Sequence, residues 1–165
     1  MAAGADFGVT PYGTEALSVM RIEKGHVAGN ELNGMTTAAD LGLGRMMSQK
    51  KDYIGRVLAR RPGLVDPARP ALVGLKPLDR ARCLRAGAHF LDLGAEVSLE
   101  NDQGYVTSVA FSPMLGHWIA LGLLANGPRR IGERVRLHDP LRDGDMEVEI
   151  CPPVFFDPEG ARLHG

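Results

Sequence analysis

The sequence predicts an α+β chain: a small α/β part over residues 1–63, then an antiparallel β-barrel over residues 71–165. Three observations lead there. With 21 Gly and 11 Pro in 165 residues, backbone breakers are too frequent for a helical bundle and suit short strands joined by turns. From Ala71 onward, short runs of strand-forming residues recur at the spacing of a small barrel. Before that point the pattern mixes one helical stripe with Gly- and Asn-rich loops.

In chain order, Met1 to Tyr12 is Gly/Ala-rich and weakly patterned. Thr14 suits a cap for one helical turn, Glu15 to Leu17. Ser18 to Glu23 alternates as a strand, which would place Arg21 and Glu23 on one face. His26 to Thr37 reads as a loop, with Asn33-Gly34 as a turn pair. Thr36 or Thr37 would cap a short helix, Ala38 to Leu41, and Arg45 to Ser48 reads as a strand. Gly42-Leu43-Gly44 lacks the third glycine and the preceding strand of a dinucleotide fingerprint, so that reading is rejected. Asp52 is set to cap a helix from Tyr53 to Arg61, stopped by Pro62-Gly63, with Ile54, Val57 and Leu58 as its core-facing stripe. Leu64 to Pro70 is the linker.

The barrel strands are expected at Ala71–Leu75, Ala88–Leu93, Val97–Glu100, Tyr105–Phe111, Trp118–Leu123, Arg134–His138 and Met146–Ile150. Asn101 to Gly104 is a polar hairpin loop, Ser112 to His117 a turn built on Pro113 and Gly116, and Asp143-Gly144 a strong hairpin signal.

Composition excludes several classes of function. Net charge is −1, and no Lys/Arg block is interleaved with aromatic residues, so no nucleic-acid footprint is present. No apolar run approaches the roughly 20 residues that span a bilayer, and the first residues do not form a signal peptide. Cytoplasm is the expected location. Cys83 and Cys151 lie far apart without C-x-x-C spacing, and no clustered Cys or His set forms a metal centre. Reduced core thiols are the expected state of the two cysteines, with a disulfide as the alternative. No Ser-His-Asp, Cys-His or paired-carboxylate arrangement is carried by a local motif, so no catalytic residue is assigned.

Thr107-Ser108-Val109-Ala110-Phe111-Ser112-Pro113-Met114-Leu115-Gly116 resembles a signature in the C-terminal half of the aminomethyltransferase family, the folate-dependent T-proteins of glycine cleavage and their relatives. Leu17–Gly25, Asp52–Gly55, Val73–Leu75 and Pro153–Phe155 agree in the same order. The stretch Asn30 to Gly44 is closer to one branch, the α subunits of heterotetrameric sarcosine oxidases. The resemblance implies a partial ferredoxin-like piece of a folate-binding domain followed by the family's barrel. It implies tetrahydrofolate as cofactor, with FAD/FMN and NAD of the parent complex bound outside this segment. It also implies, as partners, the remainder of the α subunit and the other subunits. Activity would be oxidative demethylation of sarcosine with one-carbon transfer, the segment alone lacking a complete active site.

The resemblance marks three residues as cofactor-binding: Arg21, its neighbour Glu23, and Arg85. A planar guanidinium suits a folate carboxylate or ring carbonyl. By pattern alone, Arg21 and Glu23 are equally a solvated ion pair, and Arg85, between Arg80, Arg82 and a glycine, equally a solvated loop arginine. Trp118 reads either as core or as a stacking platform. Two alternatives for the whole stand beside the leading one: a structural module that docks against other subunits, and a stand-alone aminomethyltransferase lacking its first half.

Overall fold

The computed structural model describes residues 2–142 and 144–164. Six strands form a closed antiparallel barrel: β1 (Pro70–Pro77), β2 (His89–Leu91), β3 (Gly104–Ser112), β4 (His117–Ala125), β5 (Arg134–Asp139) and β6 (Gly144–Cys151), in the order β1-β4-β3-β2-β5-β6. Of the expected strands, Val97–Glu100 is not one; it forms bends and turns. Its four residues have no strand edge left to pair with, because β2 already lies between β3 and β5. Gly144 begins β6, while Asp143 of the expected hairpin signal lies outside the described residues.

The interior is aliphatic apart from Phe90: Val73, Leu75, Val106, Leu124, Val135, Leu137, Val148 and Ile150 are all buried there. A second apolar cluster sits on the outer face. Ile22 packs with Leu72, Ala110, Ile119 and Leu121, flanked by Val19, Val27, Leu115 and Phe155. Strand β4 is therefore covered on both sides, which explains its nearly unbroken run of apolar residues, Trp118 to Ala125. Trp118 itself is half-buried against the interior cluster and meets Phe111 edge to face, with centroids 5.8 Å apart.

The element that covers the outer face is a helix, α1 (Thr14–Glu23), where the sequence pattern suggested a strand over Ser18–Glu23. The reason is its boundaries. Pro11 to Gly13 and Gly25, at φ 68°, bracket ten helix-compatible residues, and Gly25 supplies the left-handed stop. Ile22 points to the barrel, so Arg21 and Glu23 flank it on either side instead of sharing a face.

Other expectations for the first part are corrected as well. Ala38–Leu41 forms turns, and Arg45–Ser48 lies partly in a 3₁₀ turn, Gly44–Met46. The helix expected over Tyr53–Arg61 is reduced to turns and a 3₁₀ segment, Leu58–Arg60, followed by a single helical turn, α2 (Pro62–Val65). Its stripe faces outward, with Ile54 and Val57 exposed. Among the described residues, nothing before Pro70 is a strand, so the small α/β part supplies helix and turns only. A last helical turn, α3 (Ala161–His164), ends the described residues.

Candidate functional site

Strand β3 carries Ser108 and Ser112, four residues apart and therefore on one face. Each reaches a carboxylate. Ser108 Oγ donates to Glu31 Oε1 at 2.6 Å, and Ser112 Oγ donates to Glu23 Oε1 at 2.5 Å. Helix α1 lies alongside, so Arg21 enters the first of these contacts and Glu23 the second.

Around Ser108 the network is dense. Arg21 Nη1 donates to Glu31 Oε2 at 3.1 Å and to the His26 carbonyl at 3.3 Å, while Nη2 donates to Ser108 Oγ at 2.6 Å. The Ala28 N–H donates to Glu31 Oε2 at 2.8 Å. Glu31 is fully buried, whereas the Arg21 side chain keeps 19% of its surface. Burial pushes the Glu31 carboxyl up. The hydrogen bonds from Ser108 and Ala28 and the Arg21 charge outweigh that and hold it below the usual carboxylate range. Three of the five guanidinium donors of Arg21 are engaged, which leaves the Nε–H and one Nη2–H. The loop that holds Glu31 is itself anchored: Asn30 Nδ2 donates to the Thr107 carbonyl at 3.0 Å. Asp40, exchanging capping bonds with Thr37, receives Arg69 through both carboxylate oxygens.

Glu23 is 6% exposed and lines a depression of about 350 Å³ with Met20, Lys24, Met114, Phe156, Asp157 and Arg162. Met20, Met114 and Phe156 give it apolar lining beside charged groups: Lys24 pairs with Asp157 at 3.0 Å, and Arg162 lies 4.9 Å over the Phe156 ring. The chain end is fastened here, since the N–H groups of Phe155 and Phe156 both donate to the Glu23 carbonyl.

Arg85 lies elsewhere. It is exposed and lines a separate depression of about 270 Å³ with Arg82, Cys83, Asp139, Arg142 and Asp145. The structure thus brings Arg21 and Glu23 to opposite flanks of one helix turn and sets Arg85 in a separate depression. His117 is buried, its Nδ1 2.8 Å from the Trp118 carbonyl.

Sequence reasoning did not single out Glu31, Ser108 or Ser112 as a set. The signal was present: two serines at even spacing on a strand, and one glutamate inside a Gly/Asn-rich loop. What the sequence lacks is the helix that brings Arg21 between them. Cys151 is buried and Cys83 partly so, both as free thiols; burial pushes the Cys151 thiol up to about 11.

A closed barrel of this strand order, with a helix bonded across its long hairpin, is an aminomethyltransferase-type architecture. The crystal structure of the glycine cleavage system aminomethyltransferase T from Bartonella henselae matches it with a TM-score of 0.69 at 25% identity, over 94% of this chain and 42% of that one. The chain belongs to the family of the glycine cleavage T-protein C-terminal barrel domain, whose model matches residues 71–157; the GCVT N-terminal domain model matches residues 1–51. Among individual relatives, the sarcosine oxidase subunit alpha of Rhizobium meliloti is 52% identical over 98% of this chain and 16% of that protein. That of Corynebacterium sp. (strain U-96) is 36% identical over 99% of this chain. The aminomethyltransferase of Saccharopolyspora erythraea is 37% identical over 93% of this chain and 40% of its own length. The chain spans well under half the length of each.

Proposed function

We propose that this chain is the folate-binding C-terminal portion of a sarcosine oxidase α subunit, contributing to oxidative demethylation of sarcosine with one-carbon transfer to tetrahydrofolate. The observation that carries the reading is a pre-oriented guanidinium on one flank of α1 and a sequestered carboxylate at an apolar depression on the other. Arg21 is held by Glu31 and Ser108 with two N–H donors still available, and Glu23 is held by Ser112 at the depression's wall. These residues fit a folate. A carboxylate accepts from the amino and ring N–H groups along a pterin edge, and Met and Phe side chains suit its flat face. A guanidinium suits a ring carbonyl or the glutamate tail. Arg85, exposed among Arg82 and Arg142, suits the anionic end of the ligand. Tetrahydrofolate when bound supplies the acceptor of the one-carbon unit; this chain's residues orient it and exclude water along one wall. FAD/FMN and NAD of the parent complex are assigned to sites outside this segment, and the chain is placed in the cytoplasm.

The test is titration of tetrahydrofolate into the parent complex and its variants. Arg21→Ala and Glu23→Gln are each expected to weaken binding about tenfold or more, the loss of a hydrogen bond involving a charged group. Unchanged affinity in both would overturn the assignment.

A second reading has its own observation. In residues 2–65 the large apolar side chains are mostly uncovered: Phe7 is 85%, Met35 81%, Ile54 105% and Val57 82% exposed. Exposed apolar area of this kind marks an interface, and the partners proposed are the remainder of the α subunit and the other subunits of the complex. Under this reading docking is the main role. Under a third, the same surface meets the first half of an aminomethyltransferase of the glycine cleavage type.

A further inference from the structure

Beside β3 on the side away from β4, on the outer face of the barrel, four side chains stand in a row: Asp102, His89, His138, Asp145. His89 on β2 is directly opposite His138 on β5, and His138 is directly opposite Asp145 on β6. Asp102 precedes β3, the other neighbour of β2. Each imidazole is bound by its Nδ1 to the carboxylate on its outer side, His89 to Asp102 at 2.9 Å and His138 to Asp145 at 2.7 Å.

Directly opposed residues on antiparallel strands share a face, with Cβ atoms roughly 5 Å apart. With both Nδ1 atoms held by carboxylates, the two Nε2 atoms are the ring nitrogens left to meet a ligand. A carboxylate that accepts the Nδ1–H also fixes the tautomer, leaving the lone pair on Nε2. Both rings line one depression of about 290 Å³, walled by Leu91, Val97, Leu99 and Pro140. The His89 side chain is 42% exposed, so the space is open to solutes. Asp145 is steadied in turn by Arg136, whose Nη1 lies 3.2 Å from its second oxygen.

We propose that His89 and His138 form a two-imidazole site for a divalent transition metal of the zinc class, with Asp102 and Asp145 as positioning residues and water completing the coordination. Imidazole nitrogen is a preferred donor for such ions, and a carboxylate behind each ring is the arrangement that strengthens it. Among the described residues no group of three or more His, Cys, Asp or Glu is arranged for a metal, so the site is open. An open two-imidazole site suits reversible uptake or bridging to a donor on another molecule. It stands apart from the proposed folate wall and does not depend on it.

The test is calorimetric titration of zinc chloride into the full chain, with long-range imidazole nitrogen spectra recorded alongside. One zinc per chain is expected, with the Nε2 signals of His89 and His138 moving and the other histidines unmoved. His89→Gln and His138→Gln each abolish that event. Asp102→Asn and Asp145→Asn, which keep size and a hydrogen-bond acceptor, weaken it at least about tenfold. Thermal melting of each metal-free variant confirms that its fold is intact. Zinc affinity unchanged in the histidine double variant, or no saturable uptake by the parent chain at millimolar zinc, overturns the proposal; so does coordination through Nδ1.

Discussion

Glu31 shows how one side chain decides the seam between α1 and β3. It is fully buried, yet it is bound by a serine, a backbone N–H and a guanidinium, so its charge is compensated from three directions. Glu31→Gln keeps the shape but leaves Arg21 without its counter-charge. The expected cost is about 2–4 kcal/mol, read by urea unfolding, because breaking a buried pair leaves the other charge uncompensated. The pH dependence has a definite sign. A carboxyl whose folded pKa lies below its unfolded value, here near 4.5, contributes stability that is fully present above that value. The contribution is lost as pH falls through the folded pKa. The parent chain should therefore lose stability below about pH 4.5, and the Gln variant should show a shallower acid limb over the same window. An identical acid limb in both would contradict this account of the seam.

The same residues show what the sequence made legible. The resemblance pointed to Arg21 and Glu23, and the structure places both at the α1–β3 seam, one within a bonded network and one at a depression. It did not make their geometry legible. Six residues that alternate apolar and polar fit half of a helix as well as a strand, and only the flanking breakers at Gly13 and Gly25 decide between them.

Strands were legible where turn chemistry framed them. The β3–β4 hairpin follows from Pro113 and Gly116, and Gly116 does adopt a positive φ of 70°. Helices in the first part were not legible, and the reason is physical. Ile54, Val57 and Leu58 have helical spacing, but Ile54 and Val57 stand exposed and Leu58 is only half covered. Short helices owe most of their stability to burial of such a stripe. Without it the segment settles into turns, with Asp52 and Arg56 paired at its start.

Strand β1 illustrates the opposite case, an element shaped by what crosses it. A Cβ at Gly74 would stand 2.5 Å from the Pro152 carbonyl oxygen and 2.8 Å from Phe155 Cζ. The segment after β6 thus folds back over β1, on its way to the Glu23 carbonyl. Gly74→Ala is expected to destabilise by about 1–3 kcal/mol, the usual cost of overpacking, and to loosen residues 152–156. Hydrogen exchange should show faster amide exchange at Phe155 and Phe156. If exchange there is unchanged, the strap does not depend on that close approach.

At the scale of the whole molecule, burial is divided unevenly. Of the buried hydrophobic residues among those described, only Ile22 and Leu41 come from the chain before Pro70; the barrel and its loops supply the rest. Local stability follows local burial. Limited proteolysis of this chain alone should therefore cut within residues 44–66 well before the barrel, and the proposed parent assembly should protect the same bonds. Equal cutting in both states would mean that the apolar stripe at Ile54 and Val57 is not an interface.

The closure of the barrel has one further consequence. Every strand has a neighbour on both sides, β1 joined to β4 over six residue pairs and to β6 over four. Among the described residues no strand stands at an open end of the sheet, where a foreign strand would most readily add. Whatever this chain assembles with must hold it by side chains and loops, and such a joint can be formed and undone without opening the ring.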